Sequence, residues 1–296
     1  MADFGPRLTF KGGTSLSKCW KLIKRFSEDI DVVIDRDFLG FSGDKAPETA
    51  PSQKQRGKRL EALKSACQTS IRQSLHPALQ NRFHAKLPKG LDWKLLEDPD
   101  DVDRQTLIFQ YPAAFPFGGY LRPVVRIELG ARSDTEPSAN PEIQPFLSEV
   151  LPTEFKSSAF RLRTVAPERT FWEKAMLLHE ETWRTGEAGP KARLARHYYD
   201  LWCLILAGIG GKAFSDQKLF SRVAAHRPVF FRKKKEAQES LKPGSLRLLP
   251  PEAQIRLWKQ DYDAMREAMI FGETPEFAEI LRVVGDFERQ FNKTAQ

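Results

Sequence analysis

Cysteine is scarce in this chain of 296 residues, and histidine nearly as scarce. The three cysteines, Cys19, Cys67 and Cys203, form no CxxC pair, which excludes a disulfide framework and a cysteine-based zinc motif. The five histidines lack metal-ligand spacing, since neither His179 nor His197 has a His or Cys four residues later. We therefore expect a protein of a reducing compartment, the cytoplasm.

Long apolar runs are also missing. The longest, Leu201 to Gly211, has eleven residues, whereas a helix that crosses a bilayer needs about 20. The N-terminus lacks the basic and apolar segments of a signal peptide, and no GxxxxGK[ST] loop marks a P-loop nucleoside triphosphatase. With 41% hydrophobic and 29% charged residues, the sequence predicts a globular protein without a membrane segment.

Negative charge is in the minority. Lys and Arg total 47 against 39 for Asp and Glu, so the net charge is +8. This balance favours polyanionic partners, which include nucleic acid, nucleotides and acidic proteins. One basic segment, Phe230 to Lys235 (FFRKKK), either grips an RNA backbone or is a solvated helix end.

Hydrophobic periodicity divides the chain near residue 166 into an α/β half, residues 1–166, and a helical half, residues 167–296. In the first half the pattern predicts strands over residues 7–11, 29–35 and 160–165, helices over 14–23 and 58–74, β-like segments from 81 to 128, and loops over 41–55 and 132–145. In the second half it predicts helices over residues 167–184, 190–207, 216–225, 251–269 and 275–292. The pattern thus predicts a chain whose α/β half precedes a helical half.

A glycine pair opens the segment with the most chemistry-bearing residues, which runs from Lys11 to Ile34. Gly12 and Gly13 allow a sharp turn and a close approach to a bulky ligand. Thr14 and Ser15 then begin a helix, whose free N–H groups and dipole favour phosphate oxygens. A glycine pair alone is usually a plain turn, so the prediction of a phosphate site needs support from residues further along the segment.

Two carboxylates come next, because Asp29 and Asp31 occupy positions i and i+2 of a predicted strand and share one face. Adjacent carboxylates repel each other unless a cation lies between them, and oxygen ligands with room for phosphate suit Mg²⁺. A DxD pair alone is usually a solvated strand face. Combined with the preceding turn, the pair predicts a site of metal-assisted phosphoryl-type transfer.

KGGTSLSK and RFSEDIDVVI resemble the first motif of the AbiEii/AbiGii nucleotidyltransferase family, which includes the MenT toxins within the DNA-polymerase-β-like superfamily. VVRIELGARS, RTFWEKAMLLHE and RHYYDLW follow in the family's order, so the resemblance covers residues 8 to 205. It implies an α+β fold, in which a nucleotidyltransferase-type mixed sheet with flanking helices is followed by a helical bundle. The helical domain would complete the active site. It also implies Mg²⁺-dependent transfer of a nucleoside monophosphate from an NTP to an acceptor hydroxyl, the tRNA 3′ end, which blocks translation. An antitoxin from a neighbouring gene and a role in phage defence are further implications.

The resemblance assigns metal binding to Asp29 and Asp31, and the nucleotide-binding turn to residues 12–14. Either Thr14 or Ser15 supplies the hydroxyl beside the phosphates. Glu128, in VVRIEL, matches a third acid that serves as metal ligand or general base. The alternative for Glu128 is an exposed side chain paired with a neighbouring arginine, Arg126 or Arg132.

In the helical half, Lys174 matches the family's lysine, a flexible point charge suited to a triphosphate. Arg169, five residues earlier, either reaches the same ligand or pairs with Glu173 at i+4. Asp200 matches a family acid with a catalytic or nucleotide-binding role, and its alternative is a helix partner for Arg196 or a neighbour of His197.

Two other functions stay open on the sequence alone. The acceptor could be a protein side chain, or the chain could be a nucleotide-binding module whose activity has decayed. Family members commonly carry a helical segment before KGGT, yet only ten residues precede Lys11. Either the start is shortened or this member does without that segment.

Overall fold

The computed structural model describes residues 4–27, 29–113, 123–151, 153–154, 159–184, 192–231, 233–271 and 274–294. Packing divides the chain into two compact units. The first unit comprises Met1–Cys19 and Ser27–Val165, and the second comprises Trp20–Phe26 and Ala166–Gln296. A short segment from the first half of the sequence thus belongs to the helical unit, which periodicity did not indicate.

The first unit is built on a mixed sheet. Its strands are β1 (Leu8–Lys11), β2 (Asp29–Ile34), β3 (Lys94–Glu97), β4 (Thr106–Gln110), β5 (Val124–Gly130), β6 (Ser138–Ala139), β7 (Glu142–Ile143), β8 (Phe160–Arg161) and β9 (Thr164–Val165). Within the described residues, seven strands form one sheet in the order β3-β4-β5-β2-β1-β9-β6, and β7 pairs with β8. The β2–β5 and β1–β9 pairs are parallel and the remaining pairs antiparallel. The predicted mixed α+β fold is confirmed.

Helices of the first unit are α1 (Gly12–Lys18), α2 (Gln53–Ser70), α3 (His76–Lys86) and α4 (Leu147–Val150), and a π-helical turn, Ile71–Leu75, joins α2 to α3. Helix α2 begins earlier than predicted because the Ser52 hydroxyl accepts the Gln55 N–H at 3.2 Å, which caps the helix. The β-like interpretation of the segment that begins at residue 81 is wrong as far as Lys86, because these residues belong to α3. Pro77 lies in the first turn of α3, a position where proline favours a helix.

The predicted helix over residues 14–23 is also wrong in its second half. Helix α1 ends at Lys18, and Lys21 has a left-handed backbone with φ of 53°. Arg25 instead forms an isolated antiparallel bridge with Ile270, and the Phe26 N–H donates to the Met269 carbonyl at 2.6 Å. Tertiary pairing within the second unit thus overrides the helical spacing of the apolar residues.

The second unit consists of helices, as predicted. They are α5 (Pro167–Thr182), α6 (Arg196–Leu206), α7 (Ile209–Ser215), α8 (Gln217–Phe230), α9 (Lys235–Glu239), α10 (Ile255–Met269) and α11 (Phe277–Lys293). The predicted start of α6 at residue 190 lies outside the described residues. Trp172 is fully buried among aromatic rings, with Phe220 at 4.8 Å and Phe291 at 5.1 Å between centroids. Its indole N–H donates to the Ala213 carbonyl at 3.1 Å, so the core also satisfies its polar atom.

The longest apolar run of the sequence is not one continuous helix. Helix α6 ends at Leu206, Gly208 has φ of 78°, and α7 begins at Ile209. Across the residues that the structure describes, no helix is long and apolar enough to cross a membrane.

Candidate functional site

Three predicted metal-ligating carboxylates share one face of the first unit's sheet. In the parallel β2–β5 pairing, Asp29 lies opposite Arg126 and Asp31 lies opposite Glu128. Paired positions on neighbouring strands project their side chains to the same side, and residues i and i+2 do so along one strand. Asp29, Asp31 and Glu128 are all partly exposed, so this face presents three carboxylates that a ligand can reach.

The first turn of α1 is packed directly against these carboxylates. Gly12 has φ of 80°, and a Cβ at this position would lie 1.9 Å from Oδ2 of Asp31. Only glycine therefore fits both the backbone and the carboxylate. The Thr14 hydroxyl donates to the Asp29 carbonyl, and the buried Ser15 hydroxyl donates to the Gly12 carbonyl at 2.8 Å. The Thr14 hydroxyl thus connects this turn to β2, whereas the Ser15 hydroxyl bonds within the turn.

Lys11 and Gly13 flank that glycine. Gly13 is buried in the first turn of α1. Lys11 lies opposite Asp31 in the antiparallel β1–β2 pairing, and its Nζ donates to Ser133 Oγ at 2.8 Å. A pocket of about 190 Å³ lies beside the carboxylates and is lined in part by Lys11, Asp31, Glu128 and Ser133. The first unit thus places a cation beside the carboxylates.

Arg126 contacts three carboxylates in the same unit. Its Nε lies 3.6 Å from Oδ1 of Asp29, and its Nη2 lies 3.8 Å from Oε1 of Glu128. The same Nη2 lies 2.8 Å from Oδ2 of Asp98, whose side chain is 1% exposed. That contact joins opposite charges without hydrogen-bond geometry. The pairing of Glu128 with Arg126, one of the two alternatives expected from the sequence, is therefore present. The other arginine, Arg132, pairs with Asp103 at 2.9 Å.

The carboxylates of Asp29, Asp31 and Glu128 suit a Mg²⁺ ion that takes only part of its ligands from the protein. Within the described residues, no group of three or more acidic, histidine or cysteine side chains is arranged to hold a metal ion. Mg²⁺ commonly takes one or two carboxylates from a protein and its other ligands from phosphates and water. The guanidinium of Arg126 lies within 4 Å of Asp29 and Glu128, so this position accepts a positive charge.

A second charged cluster lies inside the second unit. Asp200 is fully buried, and the Arg25 guanidinium donates to both of its oxygens, Nε to Oδ1 at 2.7 Å and Nη2 to Oδ2 at 2.8 Å. Lys174 Nζ lies 2.8 Å from the same Oδ2 and 3.4 Å from Nδ1 of His197. Asp200 therefore joins the predicted lysine to an arginine from the segment that precedes β2.

The protonation states in this cluster follow from burial and charge. Burial alone would raise the pKa of Asp200, but Arg25 and Lys174 hold it below the ordinary carboxyl value. Burial lowers the pKa of Lys174, and the nearby Asp200 carboxylate opposes this effect. The pKa of His197 is well below 6.5 because burial, and then the charge of Lys174, disfavour its protonated form.

The comparison with known families decides the identity. A family described as "Nucleotidyl transferase AbiEii toxin, Type IV TA system" matches residues 1–283. The chain belongs to the AbiEii family. It is therefore a nucleotidyltransferase toxin of a type IV toxin–antitoxin system, and membership implies an NTP substrate and a cognate antitoxin. The resemblance seen in the sequence is confirmed.

One solved structure that the chain matches is MenT4, a nucleotidyltransferase toxin from Mycobacterium tuberculosis H37Rv. It shares 17% identity with this AbiEii chain at a TM-score of 0.49, over 99% of this chain and 81% of MenT4. Among curated proteins, none matches the sequence.

In this AbiEii chain, two predicted cations have structural partners in the second unit. Arg169 is fully buried, and its Nε donates to Oε1 of Glu173 at 3.1 Å, which is the i+4 pair foreseen as its alternative. In the basic segment Phe230 to Lys235, Lys233 Nζ lies 3.2 Å from Oε1 of Glu181. Arg232 lies outside the described residues.

Sequence reasoning missed Arg25 and Asp98 as members of the charged clusters of this AbiEii chain. Arg25 stands inside the matched RFSEDIDVVI motif, so its position four residues before Asp29 was an available signal. Asp98 belongs to the acidic run EDPDD, which matches no motif. Asp200 pairs with Arg25 and Lys174, and neither of these partners was among those expected for it from the sequence.

Proposed function

We propose that this AbiEii enzyme uses Mg²⁺ to transfer a nucleoside monophosphate from an NTP to the 3′-terminal hydroxyl of a tRNA. The modified tRNA would no longer support translation, which would also serve defence against phage. The observation that supports the proposal most is the register of β2 and β5, which places Asp31 beside Glu128 against the turn at Gly12.

In this mechanism the metal ion would take its protein ligands from among Asp29, Asp31 and Glu128, and its other ligands from phosphate and water. When bound, Mg²⁺ supplies positive charge that stabilises the phosphorane-like transition state and the departing pyrophosphate. The acceptor oxygen forms a bond to the α-phosphorus while the bond from that phosphorus to the β-phosphate oxygen breaks. The proton of the attacking hydroxyl passes to a carboxylate, and Glu128, a partly exposed acid, is our candidate for this general base.

Lys174 is the second unit's candidate for a phosphate contact. Two cations, Arg25 and Lys174, meet one carboxylate, Asp200, so with Lys174 protonated the cluster carries a surplus of one positive charge. A buried surplus charge interacts strongly with an anion because little water screens it. The Asp200 carboxylate also fixes the lysine ammonium in place, so a phosphate would compete with that contact.

Transfer assays with each of the four labelled NTPs, bulk tRNA and cell extract test this proposal. We expect one NTP to label tRNA with release of pyrophosphate, and chelation with EDTA to abolish labelling until Mg²⁺ is restored. Asp31→Asn should remove the activity, and Asp35→Asn, which changes the same residue type just after β2, should retain it. Label on protein would favour the protein-acceptor alternative, and absence of label on any acceptor would favour a decayed module.

A further inference from the structure

We propose that Arg126, anchored by Asp98, is a resident counter-cation that competes with the metal ion for Asp29 and Glu128. The inference rests on the proposed function, because it takes these two carboxylates as metal ligands. Arg126 then acts as a positioning residue, which keeps the two carboxylates in place until the metal ion of a metal-bound nucleotide replaces its positive charge.

The contacts of Arg126 define this role. Its two nitrogens approach Asp29 at 3.6 Å and Glu128 at 3.8 Å, which are longer than a tight ion pair. Its contact with Asp98 is the closest of the three at 2.8 Å. A guanidinium held in this way neutralises Asp29 and Glu128 without binding either of them tightly, so a divalent ion can displace it from both.

Burial explains why Asp98 is the anchor. Its side chain is 1% exposed, whereas those of Asp29 and Glu128 are 18% and 43% exposed. Asp98 Oδ1 accepts the Asp100 N–H at 3.0 Å, and Oδ2 has Arg126 as its compensating charge. Breaking a buried pair costs more than breaking exposed contacts. Arg126 therefore stays with Asp98 when the other two contacts are lost.

Two substitutions should change metal affinity in opposite directions. Arg126→Gln removes the competing charge, and we expect Mn²⁺ to bind about tenfold more tightly, which is ~1.4 kcal/mol. Asp98→Asn removes the anchor, so Arg126 can pair more closely with Asp29 and Glu128. We therefore expect Mn²⁺ to bind about threefold more weakly. A merely structural role for Arg126 would weaken binding in both variants.

Binding is measured by the electron paramagnetic resonance signal of free Mn²⁺ titrated with the full chain, without NTP or tRNA. The matched controls are Arg72→Gln and Glu97→Gln, which remove one charge of each sign from an exposed pair, 3.2 Å apart, next to Asp98. We expect both controls to remain within about twofold of the wild type. Asp31→Asn should abolish the Mn²⁺ site in every background.

Arg126→Gln leaves the buried Asp98 without its cation, so thermal unfolding accompanies each titration. If that variant does not fold, Asp98→Asn/Arg126→Gln removes both charges, and it should bind Mn²⁺ as tightly as expected for Arg126→Gln. Unchanged or weaker binding on loss of Arg126 would overturn the proposal, as would absence of Mn²⁺ binding in both wild type and variants. Because the titration contains no NTP or acceptor, failure of the transfer assay alone leaves its result intact.

Discussion

At the scale of single residues, Gly12 and Asp31 depend on each other. Gly12 has φ of 80°, and the Asp31 carboxylate leaves no room for a side chain on its Cα. We expect Gly12→Ala to cost about 1–2 kcal/mol from backbone strain alone, and more from displacement of Asp31. Nucleotidyl transfer should fall at least about tenfold, since a small displacement of a catalytic group is costly.

Gly40→Ala is the matched control for this prediction. Gly40 has φ of 82°, and a Cβ there would meet nothing within 4 Å. Urea unfolding should therefore show a comparable backbone cost for Gly40→Ala, with transfer activity preserved. Equal activity of the two variants would contradict the close packing of Gly12 against Asp31.

Asp200 is the residue on which the second unit's charged cluster depends. Its removal in Asp200→Ala leaves Arg25 and Lys174 as buried cations without their partner, and we expect a loss of about 3–5 kcal/mol in the free energy of unfolding. Asp286→Ala, which removes an exposed carboxylate paired with Arg289 on α11, should cost far less. Denaturant titration of both variants measures the difference.

At the scale of elements, a histidine ties the segment around α9 to α5. Buried His179 has its Nε2 3.0 Å from the Ala237 carbonyl, and its Nδ1 accepts the Arg247 N–H at 2.9 Å. These partners require a neutral ring with its proton on Nε2, because a protonated Nδ1 could not accept a hydrogen bond. Burial accordingly lowers the pKa of His179 below 6.5.

Acid should therefore weaken the second unit before the buried Asp200 takes up a proton. In the unfolded chain His179 and His197 take up protons near their ordinary value of 6.5, whereas in the folded chain their pKa values are lower. The unfolded state then binds more protons, so stability falls as pH decreases below 6.5. The lowered pKa of Asp200 adds a further loss below its ordinary value of 3.8.

Unfolding free energies measured from pH 8 to pH 5 check this sign. His179→Gln should reduce the slope between pH 6.5 and pH 5 and lower stability at pH 8, since its hydrogen bonds contribute about 1 kcal/mol each. His84→Gln, at an exposed position on α3, should leave stability at pH 8 nearly unchanged. A slope that is the same with and without His179 would contradict the neutral buried ring.

At the scale of the whole molecule, toxicity should depend on residues from both units. We expect expression of the chain without its antitoxin to arrest growth, and Asp31→Asn and Lys174→Met each to abolish the arrest. Lys174→Met keeps the Arg25–Asp200 pair, so the variant should remain folded. Lys212→Met, which alters an exposed lysine on α7, is the control, and colony counts after induction give the result. Growth arrest by Lys174→Met at wild-type protein level would contradict the role assigned to Lys174.

Periodicity and motif spacing predicted much of the fold, because they reflect local physics. Alternation over residues 29–35 identified β2 and placed Asp29 and Asp31 on one face, and Pro167 marked the start of α5. The same reasoning failed at residues 19–26, where the apolar spacing is helical but the chain pairs with Ile270. No local pattern indicates a partner that lies more than two hundred residues away in the sequence.

The sequence by itself determined the family, the mixed sheet followed by helices, and the residue types needed for a nucleotidyl transfer site. These depend on short motifs and on the periods of strands and helices, which neighbouring residues set. Only the tertiary structure decided that Asp98 pairs with Arg126 beside the carboxylates and that Arg25 and Lys174 both pair with Asp200. The physical reason is that a buried charge needs a partner wherever the fold supplies one, and sequence distance places no limit on that choice.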